Sequence, residues 1–370
     1  MDLPRLCGQL LCVGFEGTSA PPELLARVAR GEVGSVVLFR PNVEGPGQVA
    51  GVVGALRRAA PADQPLLVAV DQEGGLVQRI RAPATEWPDM MSVGEADDPA
   101  RSRAVGQAIG VELGLLGVGW NFAPVLDVHT NPQNPVIGRR AFGTHPETVS
   151  RHALAFWEGL RAAGVHGCGK HYPGHGETNL DSHHHLPRME GSSERLASVE
   201  LVPFKAAIAA GAEALMSAHV LYPALDPDNP ATLSRVFATT WLRERLGFHG
   251  VLVSDDLGMA AVADRWSIEE LVVEAVAAGV DHLIVRGPLE RQQQAFEHLL
   301  RTAGQDPAFR ASVTRSAERV AALKAAGCGP WPASPAEVDA VFPIAAHRIL
   351  AASFGPSSPA GPSTSPVTRY

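Results

Sequence analysis

Residues 243–254 read RERLGFHGVLVS, and this order of residue types recurs along the chain. A stretch of helical composition ends at Gly247, a few residues pass, and an apolar run follows. Glycine is favoured just past the end of a helix, because it adopts the left-handed conformation without a steric cost. A run that is apolar on both faces is typical of a buried parallel strand. The stretch therefore predicts one unit of helix, short loop and strand.

Repetition of this unit predicts an α/β architecture. Further copies are ARVARGEVGSVVLF (26–39), RAAGVHGCGK (161–170), AIAAGAEALMSA (207–218) and EAVAAGVDHLIV (274–285). With three other apolar runs, strands are predicted near residues 9–14, 35–40, 66–71, 119–127, 165–170, 214–218, 250–254 and 282–286. Helices are predicted between them, at 22–30, 101–116, 146–163, 193–210 and 268–278.

Eight such units in a chain of 370 residues predict a single closed (β/α)8 barrel of the TIM type. The amino-terminal stretch MDLPRLCGQLLCVGFEG is interpreted as its first strand. An open doubly wound sheet is the structural alternative. Such a sheet would normally carry a glycine-rich phosphate turn after its first strand, and the turn at 14–17, GFEG, does not have that form.

The carboxyl-terminal part differs in composition from the rest of the chain. We expect the barrel to occupy residues 1–330, a helical extension 331–353 and a disordered tail 354–370, where Pro and Ser accumulate and little apolar surface is left to bury. Ser334 and Glu337 have the spacing of a capping box at the start of a helix over 335–351. Pro343 predicts a break or kink within that helix.

Composition and charge exclude some classes of partner. The formal net charge of −8, from 31 basic and 39 acidic residues, gives no support to a nucleic-acid surface. No basic run or long apolar stretch indicates a membrane partner, and the short apolar run near the amino terminus is weak as an export signal. The four cysteines have no metal-ligand spacing and are interpreted as reduced thiols. We therefore expect a cytoplasmic protein, and a monomer.

Residues 170–187, KHYPGHGETNLDSHHHLP, concentrate chemically active side chains. They contain five of the fourteen histidines, one lysine and two carboxylates, while Pro173, Gly174 and Gly176 oppose a regular helix. Such a segment predicts a surface loop, where functional residues are frequently found. The loop follows a predicted strand, so it should lie at the carboxyl ends of the strands.

Polar side chains close several of the predicted strands. In barrel enzymes the catalytic groups lie at these carboxyl ends. A carboxylate there, with a His and an Asp on a nearby loop, could supply a nucleophile and a separate proton donor. Cationic donors combined with an acidic acceptor suit the hydroxyls of a sugar. The residues concerned are Asp71 with Arg79, Asp127 with Arg139 and Arg140, Lys170 with His171, His219, and Asp255 with Asp256.

Residues 170–187 resemble the KH(F/I)PGHGxxxxDSHxxxP signature of family 3 glycoside hydrolases, in the branch of NagZ-type β-N-acetylglucosaminidases. Tyr172 departs from the usual Phe or Ile. Residues 246–259, LGFHGVLVSDDLGM, resemble the nucleophile motif of that family. Further matching stretches follow in order: GSVVLFRPN (34–42), VDQEGGLVQRI (70–80), APVLDV (123–128), IGRRAFG (137–143), MSAHVLYPALD (216–226) and ATLS (231–234).

The resemblance implies a retaining exo-β-N-acetylglucosaminidase (β-N-acetylhexosaminidase) that hydrolyses terminal β-linked GlcNAc, with peptidoglycan-derived muropeptides as the expected source. It implies that Asp255 is the nucleophile and that His183, paired with Asp181, is the general acid and base. The sugar-binding set that it implies is Asp71, Arg79, Arg140, Lys170 and His171, with Arg140 favoured over Arg139. It implies neither a cofactor nor a metal.

Physical reasoning about the residues agrees with this assignment. Retaining glycosidases normally use two carboxyl groups about 5–5.5 Å apart. A histidine can replace the protonated one because its ordinary pKa of about 6.5 lies near neutrality, and Asp181 could orient its ring. Successive strand residues point to opposite faces, so we expect only Asp255 of the adjacent pair to face the barrel mouth.

Several alternatives remain open. A phosphorylase could use the same site with phosphate in place of water, and a β-glucosidase belongs to the same family. A metal-dependent amidohydrolase on the same barrel is a different class, with zinc ligands drawn from the histidines of 170–187. Pro173 and Gly174 interrupt that cluster, so it does not share a helix face. A sugar-binding module without turnover is the non-enzymatic alternative.

Three polar residues have a structural interpretation beside the functional one. Asp127 is interpreted as a partner of a backbone amide or an arginine, and His175 as a residue that shapes the loop. For His219 the sequence leaves open whether it is a satisfied rim residue or part of the site wall.

Overall fold

The computed structural model describes residues 1–178 and 186–355. The strands are β1 Leu11–Val13, β2 Ser35–Leu38, β3 Leu67–Val70, β4 Gln72–Gly74, β5 Val77–Gln78, β6 Trp120–Asn121, β7 His166–Gly167, β8 Gly169–Tyr172, β9 Ala214–Ser217, β10 Leu221–Tyr222, β11 Asp226–Pro230, β12 Val251–Ser254 and β13 Leu283–Val285.

The helices lie between and after the strands. They are α1 Leu3–Gln9, α2 Pro22–Arg30, α3 Pro46–Ala59, α4 Met90–Glu95, α5 Pro99–Leu115, α6 Pro146–Ala162, α7 Ser193–Ser198, α8 Leu201–Ala209, α9 Ala260–Ala263, α10 Ile268–Ala278, α11 Leu289–Gln305, α12 Pro307–Ala325, α13 Pro335–Val341 and α14 Ala345–Ala352. Short 3-10 turns occur at Arg40–Asn42, Gly138–Arg140 and Ala231–Leu233, and a π-helix at Val236–Arg245.

Two separate parallel sheets carry the fold. The larger has six strands in the order β13-β1-β2-β3-β6-β7, and the smaller has three in the order β12-β9-β8. Two antiparallel pairs, β4-β5 and β10-β11, lie outside them. The central strands β2 and β3 are buried along their whole length, as expected for strands that are apolar on both faces.

The prediction of one closed eight-stranded barrel is wrong, because the parallel strands form these two small sheets. The strand predicted at 165–170 is divided into β7 and β8 at Cys168. At the borders between the sheets, isolated bridges join Val125 with Lys170 and Val253 with His282, and the two sheets share no strand ladder within the described residues. Strands β6 and β7 have two residues each, and Pro124 after β6 has no N–H to extend a ladder. The apolar runs in the sequence indicated which segments are buried strands. They did not indicate how many residues of each strand pair with its neighbour.

Strands are confirmed at the eight predicted positions, mostly with shorter bounds although β8 extends to Tyr172, and the predicted helices are confirmed. The helix predicted at 193–210 is divided into α7 and α8. The amino-terminal stretch differs more, because residues 3–9 form α1 and only 11–13 are extended. Asp2 caps this helix by accepting a hydrogen bond from the backbone N–H of Arg5 at 3.1 Å. Asp followed closely by a proline is a helix-start signal that the strand interpretation overlooked.

The carboxyl-terminal extension is helical, as predicted, and packs on the main body. The capping box of Ser334 and Glu337 is confirmed at the start of α13, and Pro343 lies between α13 and α14. The side chain of Asp339 accepts a hydrogen bond from the backbone N–H of Gly47 at 2.8 Å. The division at residue 330 stays a prediction. Of the tail predicted at 354–370, all but the first two residues lie outside the described part.

Within residues 1–178 and 186–355, the helices are each too short or too polar to cross a membrane.

Candidate active site

A cavity of about 430 Å³ opens at the carboxyl ends of the parallel strands. Residues that follow β3, β12 and β13 line it, as do residues of the β4-β5 hairpin and of β8. Six of the eight predicted site residues are among its lining residues: Asp71, Arg79, Arg140, Lys170, His171 and Asp255. The remaining two, Asp181 and His183, lie outside the described residues.

A buried group of opposite charges forms one wall of this cavity. The ammonium of Lys170 lies 2.6 Å from a carboxylate oxygen of Asp71 and 2.6 Å from one of Glu73. The guanidinium of Arg140 donates two hydrogen bonds to Glu73, at 2.8 and 2.9 Å. Arg79 lies 3.5 Å from the second oxygen of Asp71. Two carboxylates thus fix the positions of three cationic donors.

The pKa values in this group follow from its pairing. Burial alone would raise the pKa of Glu73, but the charges of Arg140 and Lys170 and their hydrogen bonds lower it well below its usual range. Burial would likewise lower the pKa of Lys170, but Asp71 and Glu73 outweigh it and raise the pKa. Glu73 and Lys170 therefore stay charged at neutral pH.

The β4-β5 hairpin places Glu73 and Arg79 on this wall. Gly74, the last residue of β4, and Gly75, in the turn, have φ values of 110° and 58°, a conformation that glycine adopts readily. The side-chain oxygen of Gln72 accepts hydrogen bonds from the backbone N–H groups of Arg79 and Ile80, both at 3.0 Å. The turn and this side chain return the strand so that Arg79 lines the cavity, while Glu73 pairs with Arg140 and Lys170, which also line it.

A second buried cluster surrounds Asp127. Its carboxylate accepts a hydrogen bond from Nδ1 of His171 at 2.7 Å and from the backbone N–H of His175 at 2.7 Å. Burial alone would raise the pKa of Asp127, but the neighbouring His171 outweighs it and lowers the pKa. The interpretation of Asp127 as a structural partner of backbone amides is confirmed, and its bond to His171 was not foreseen.

His175 combines a loop-shaping position with a place in the cavity wall. Burial, together with the charge of His171, lowers the pKa of His175 to about 4. Nδ1 of its ring lies 2.7 Å from the hydroxyl of Thr178, and its carbonyl accepts from Asn134 at 2.8 Å. His175 is therefore neutral at neutral pH and fixes the described start of the loop.

Asp255 and Asp256, after β12, both line the cavity. That only the side chain of Asp255 faces the mouth stays a prediction. One oxygen of Asp256 accepts hydrogen bonds from the backbone N–H groups of Gly258 at 2.8 Å and Arg286 at 3.2 Å. Burial, with a contribution from the charge of Asp255, raises the pKa of Asp256. Both aspartates follow Ser254, the last residue of β12, so the alternation within that strand does not fix their directions.

Comparisons with known proteins agree with this geometry. The profile of the "Glycosyl hydrolase family 3 N terminal domain" matches residues 5–323. The chain is similar to Beta-hexosaminidase A of Pseudoalteromonas piscicida, with 37% identity over 83% of this chain and 56% of the relative. It thus spans little more than half of that protein.

Two solved structures are also similar. A glycoside hydrolase family 3 beta-N-acetylglucosaminidase from Paenibacillus sp. str. FPU-7 has 37% identity and a TM-score of 0.86, over 96% of this chain and 68% of that one. Native NagZ from Neisseria gonorrhoeae has 29% identity and a TM-score of 0.72, over 84% and 97% of the two chains.

The chain belongs to glycosyl hydrolase family 3. The resemblance to the NagZ-type branch is confirmed, and this family 3 chain is a glycosidase. The roles of its individual residues stay predictions.

The positions of His219 and of the adjacent arginines in this family 3 site can be compared with the sequence predictions. His219 is a satisfied rim residue, since its ring nitrogens lie 2.8 Å from the hydroxyl of Thr232 and 3.0 Å from the carbonyl of Asp256. Of the adjacent arginines, Arg140 lines the cavity, whereas Arg139 lies 3.0 Å from Asp89. The preference for Arg140 is thus supported by geometry.

Sequence reasoning missed other residues of the family 3 site. Glu73 was quoted only as part of a motif, although its spacing of two from Asp71 places both on the same side of an extended chain. Phe39, Arg286 and Arg291, which line the cavity, were not singled out either. Within residues 1–178 and 186–355, no three side chains of His, Cys, Asp or Glu are grouped to hold a metal ion.

Proposed function

We propose that this chain is a retaining exo-β-N-acetylglucosaminidase that removes terminal β-linked GlcNAc from peptidoglycan-derived muropeptides. The observation that carries the proposal is one cavity lined by Asp255 and by the ion-paired group of Asp71, Arg79, Arg140 and Lys170. The solved β-N-acetylglucosaminidase and NagZ structures support the choice of sugar.

The paired group would hold the sugar. Carboxylate oxygens of Asp71 can accept hydrogen bonds from hydroxyls, while Lys170, Arg79 and Arg140 can donate to hydroxyl oxygens. Because ion pairs fix these donors and acceptors before the ligand arrives, little reorganisation is needed when it binds. This arrangement would set the anomeric carbon against Asp255.

The proposed reaction has two steps. The carboxylate of Asp255 attacks the anomeric carbon while His183, oriented by Asp181, donates a proton to the departing oxygen. The neutral His183 then takes a proton from water, which attacks the anomeric carbon and releases GlcNAc with its configuration retained.

The proposal extends to a monomeric enzyme acting in the cytoplasm on imported wall fragments. Cys7, Cys12, Cys168 and Cys328 are unpaired, and the first three are fully buried, which is typical of a protein from a reducing compartment. Cell fractionation tests the location, and light scattering tests the oligomeric state.

The test of the chemistry uses Asp255→Ala and His183→Ala with an aryl β-N-acetylglucosaminide. We expect each to lose turnover by at least about a hundredfold, because a nucleophile or a proton-transfer group is removed. Azide should restore turnover in both, giving the α-glycosyl azide with Asp255→Ala and the β-glycosyl azide with His183→Ala. Asp264→Ala, which changes an exposed aspartate of the same region, is the matched control.

Other outcomes would redirect the assignment. Retained activity in Asp255→Ala would end the nucleophile role, and equal impairment on good and poor leaving groups in His183→Ala would end the acid role. Sugar 1-phosphate formed only with phosphate present would indicate a phosphorylase. Faster hydrolysis of an aryl β-glucoside would indicate a β-glucosidase, and loss of activity to a chelator would indicate metal chemistry.

A further inference from the structure

We infer that His347, on α14, is a positioning residue for the β4-β5 hairpin and thereby for sugar binding. The inference rests on the proposed function, because it takes Arg79, directly after β5, as a residue that contacts the sugar. Helix α14 lies beyond residues 5–323, the part of the chain that the family profile matches. The inference therefore gives this carboxyl-terminal helix a part in the site.

The first link of the path joins α14 to a buried carboxylate of α5. Nδ1 of His347 lies 2.9 Å from one oxygen of Glu112, a residue that is 4% exposed. The same oxygen accepts a hydrogen bond from the hydroxyl of Thr85 at 2.6 Å, and the other accepts from the backbone N–H of Thr85 at 3.4 Å. Because a buried carboxylate depends on its donors, His347 helps to fix the group that holds Thr85.

The second link joins Thr85 to the hairpin. The side-chain amide of Gln78, in β5, donates a hydrogen bond to the carbonyl of Thr85 at 2.6 Å, and its oxygen accepts from the backbone N–H of Trp87 at 3.0 Å. The carbonyl of Trp87 accepts from the backbone N–H of Gly75 at 3.0 Å. Both β5 and the turn are thus bonded to residues 85–87, and Arg79 is the residue after Gln78.

Two direct contacts reinforce this path. The ring centroid of His347 lies 5.9 Å from that of Trp87, whose side chain is buried. The guanidinium of Arg348 donates to the carbonyl of Pro83 at 3.3 Å. Helix α14 therefore packs directly on the segment 83–87, which in turn holds the hairpin.

The path ends at the cavity without His347 entering it. Arg79 lines the cavity, whereas His347, Glu112 and Thr85 are not among its lining residues. Asp255, the proposed nucleophile, follows β12 in the other parallel sheet. A loosened hairpin should therefore weaken the grip on the sugar more than it slows the chemical step, which is the kinetic pattern of lost uniform binding.

Kinetics of His347 variants test this role. We expect His347→Ala to raise KM for an aryl β-N-acetylglucosaminide and the inhibition constant of GlcNAc by about tenfold, with kcat changed by less than about twofold. His347→Asn should restore most of the affinity, because its amide N–H can replace Nδ1 as a donor to Glu112. Ile349→Ala changes a residue of the same helix that is 72% exposed, and it should keep the wild-type constants.

A double-mutant cycle tests whether His347 and Thr85 act along one path. Thr85→Val removes the hydroxyl and nearly keeps the shape of the side chain. If the path is shared, KM of His347→Ala/Thr85→Val should exceed that of the weaker-binding single variant by less than about twofold. Single effects that multiply in the double variant would overturn the path, because independent sites are additive in free energy.

Hydrogen exchange tests the link between α14 and the hairpin without any turnover. Peptides that cover residues 72–80 should exchange faster in His347→Ala than in wild type or Ile349→Ala. Equal exchange in the three proteins would overturn the link.

The outcomes separate this inference from the proposed function. If the wild-type protein does not turn over an aryl β-N-acetylglucosaminide, the proposed function fails, while hydrogen exchange still decides the link. If it does turn over and His347→Ala keeps the wild-type KM and inhibition constant, the positioning role is overturned and the proposed function stands. A fall in kcat alone would overturn that role as well. Circular dichroism establishes that each changed constant belongs to a folded protein.

Discussion

Two buried lysines lie at opposite ends of the parallel strands and differ in their partners. The chain has only three lysines, and the third, Lys205, is exposed. Lys170, at the carboxyl ends, has two carboxylates at 2.6 Å. Lys324, on α12, donates to the side-chain oxygen of Gln9, which precedes β1 at the amino ends. No ion pair to Lys324 forms within the described residues.

The difference appears in their pKa values. The carboxylates of Asp71 and Glu73 outweigh burial and raise the pKa of Lys170. Burial, which has no carboxylate to oppose it, lowers the pKa of Lys324 to about 7. The comparison teaches that burial does not decide whether a lysine is an ion, because the partner does. Lys170, at the cavity, keeps its charge, whereas Lys324, near the amino ends of the strands, loses its charge as pH rises above about 7.

The largest effect is expected from breaking the Lys170 group. Lys170→Met leaves Asp71 and Glu73 buried with one cation fewer, which should cost about 3–5 kcal/mol of unfolding free energy. If Lys170 binds the sugar as proposed, the loss of its ammonium should also lower kcat/KM by at least about a hundredfold. Urea unfolding and an aryl β-N-acetylglucosaminide assay measure the two effects.

Lys205→Met is the matched control for this change and should leave both quantities within error. If Lys170→Met were as stable and active as that control, its ion pairs would contribute nothing measurable, and the contrast between the two buried lysines would disappear.

The second effect is a pH dependence of stability that belongs to Lys324. Its folded pKa of about 7 lies below its ordinary value of 10.5, so between these values the unfolded chain binds a proton that the folded chain does not. Stability should therefore rise with pH in this window, by up to about 1.4 kcal/mol per pH unit. Lys324→Met should remove that rise.

Urea unfolding at pH 7 and pH 9 measures this, and wild type should gain about 2 kcal/mol relative to Lys324→Met across the interval. Parallel curves for the two proteins would show that Lys324 keeps its proton when folded, or that its environment opens to water.

A smaller effect should follow from giving Lys324 a partner like those of Lys170. Gln9→Glu places a carboxylate beside the ammonium, which should raise the pKa of Lys324 and reduce the rise in stability from pH 7 to pH 9 by about 1 kcal/mol. The same unfolding measurements apply. A rise equal to that of wild type would mean that the new carboxylate is protonated or turned away.

The sequence predicts local structure here better than it predicts long-range pairing. Glycine followed by an apolar run located the strands, since each signal is contained within a few residues. Whether the strands close into a barrel depends on how many residues of β6 and β7 form hydrogen bonds with neighbouring strands. That number is set by packing across the sheet. The helix at 3–9 was missed because its apolar residues were interpreted as a strand and the capping signal at Asp2 was disregarded.

The candidate site shows the same limit. Strand-end positions brought Asp71, Lys170 and Asp255 to one cavity, as expected from parallel strands. Glu73 was overlooked because its partners, Lys170 and Arg140, are distant in sequence and only the hairpin turn brings them together. The partner of Lys324 was equally hidden, since Gln9 is more than three hundred residues away.

The hydrogen bond from His171 to Asp127 has a consequence for the protonation of the ring. A carboxylate that accepts from Nδ1 selects the tautomer with the proton on that nitrogen, so a neutral ring presents a lone pair at Nε2. Nε2 lies 3.5 Å from Arg140. His171 would then accept hydrogen bonds on the cavity side, and a sugar hydroxyl between these two residues could donate to one and accept from the other.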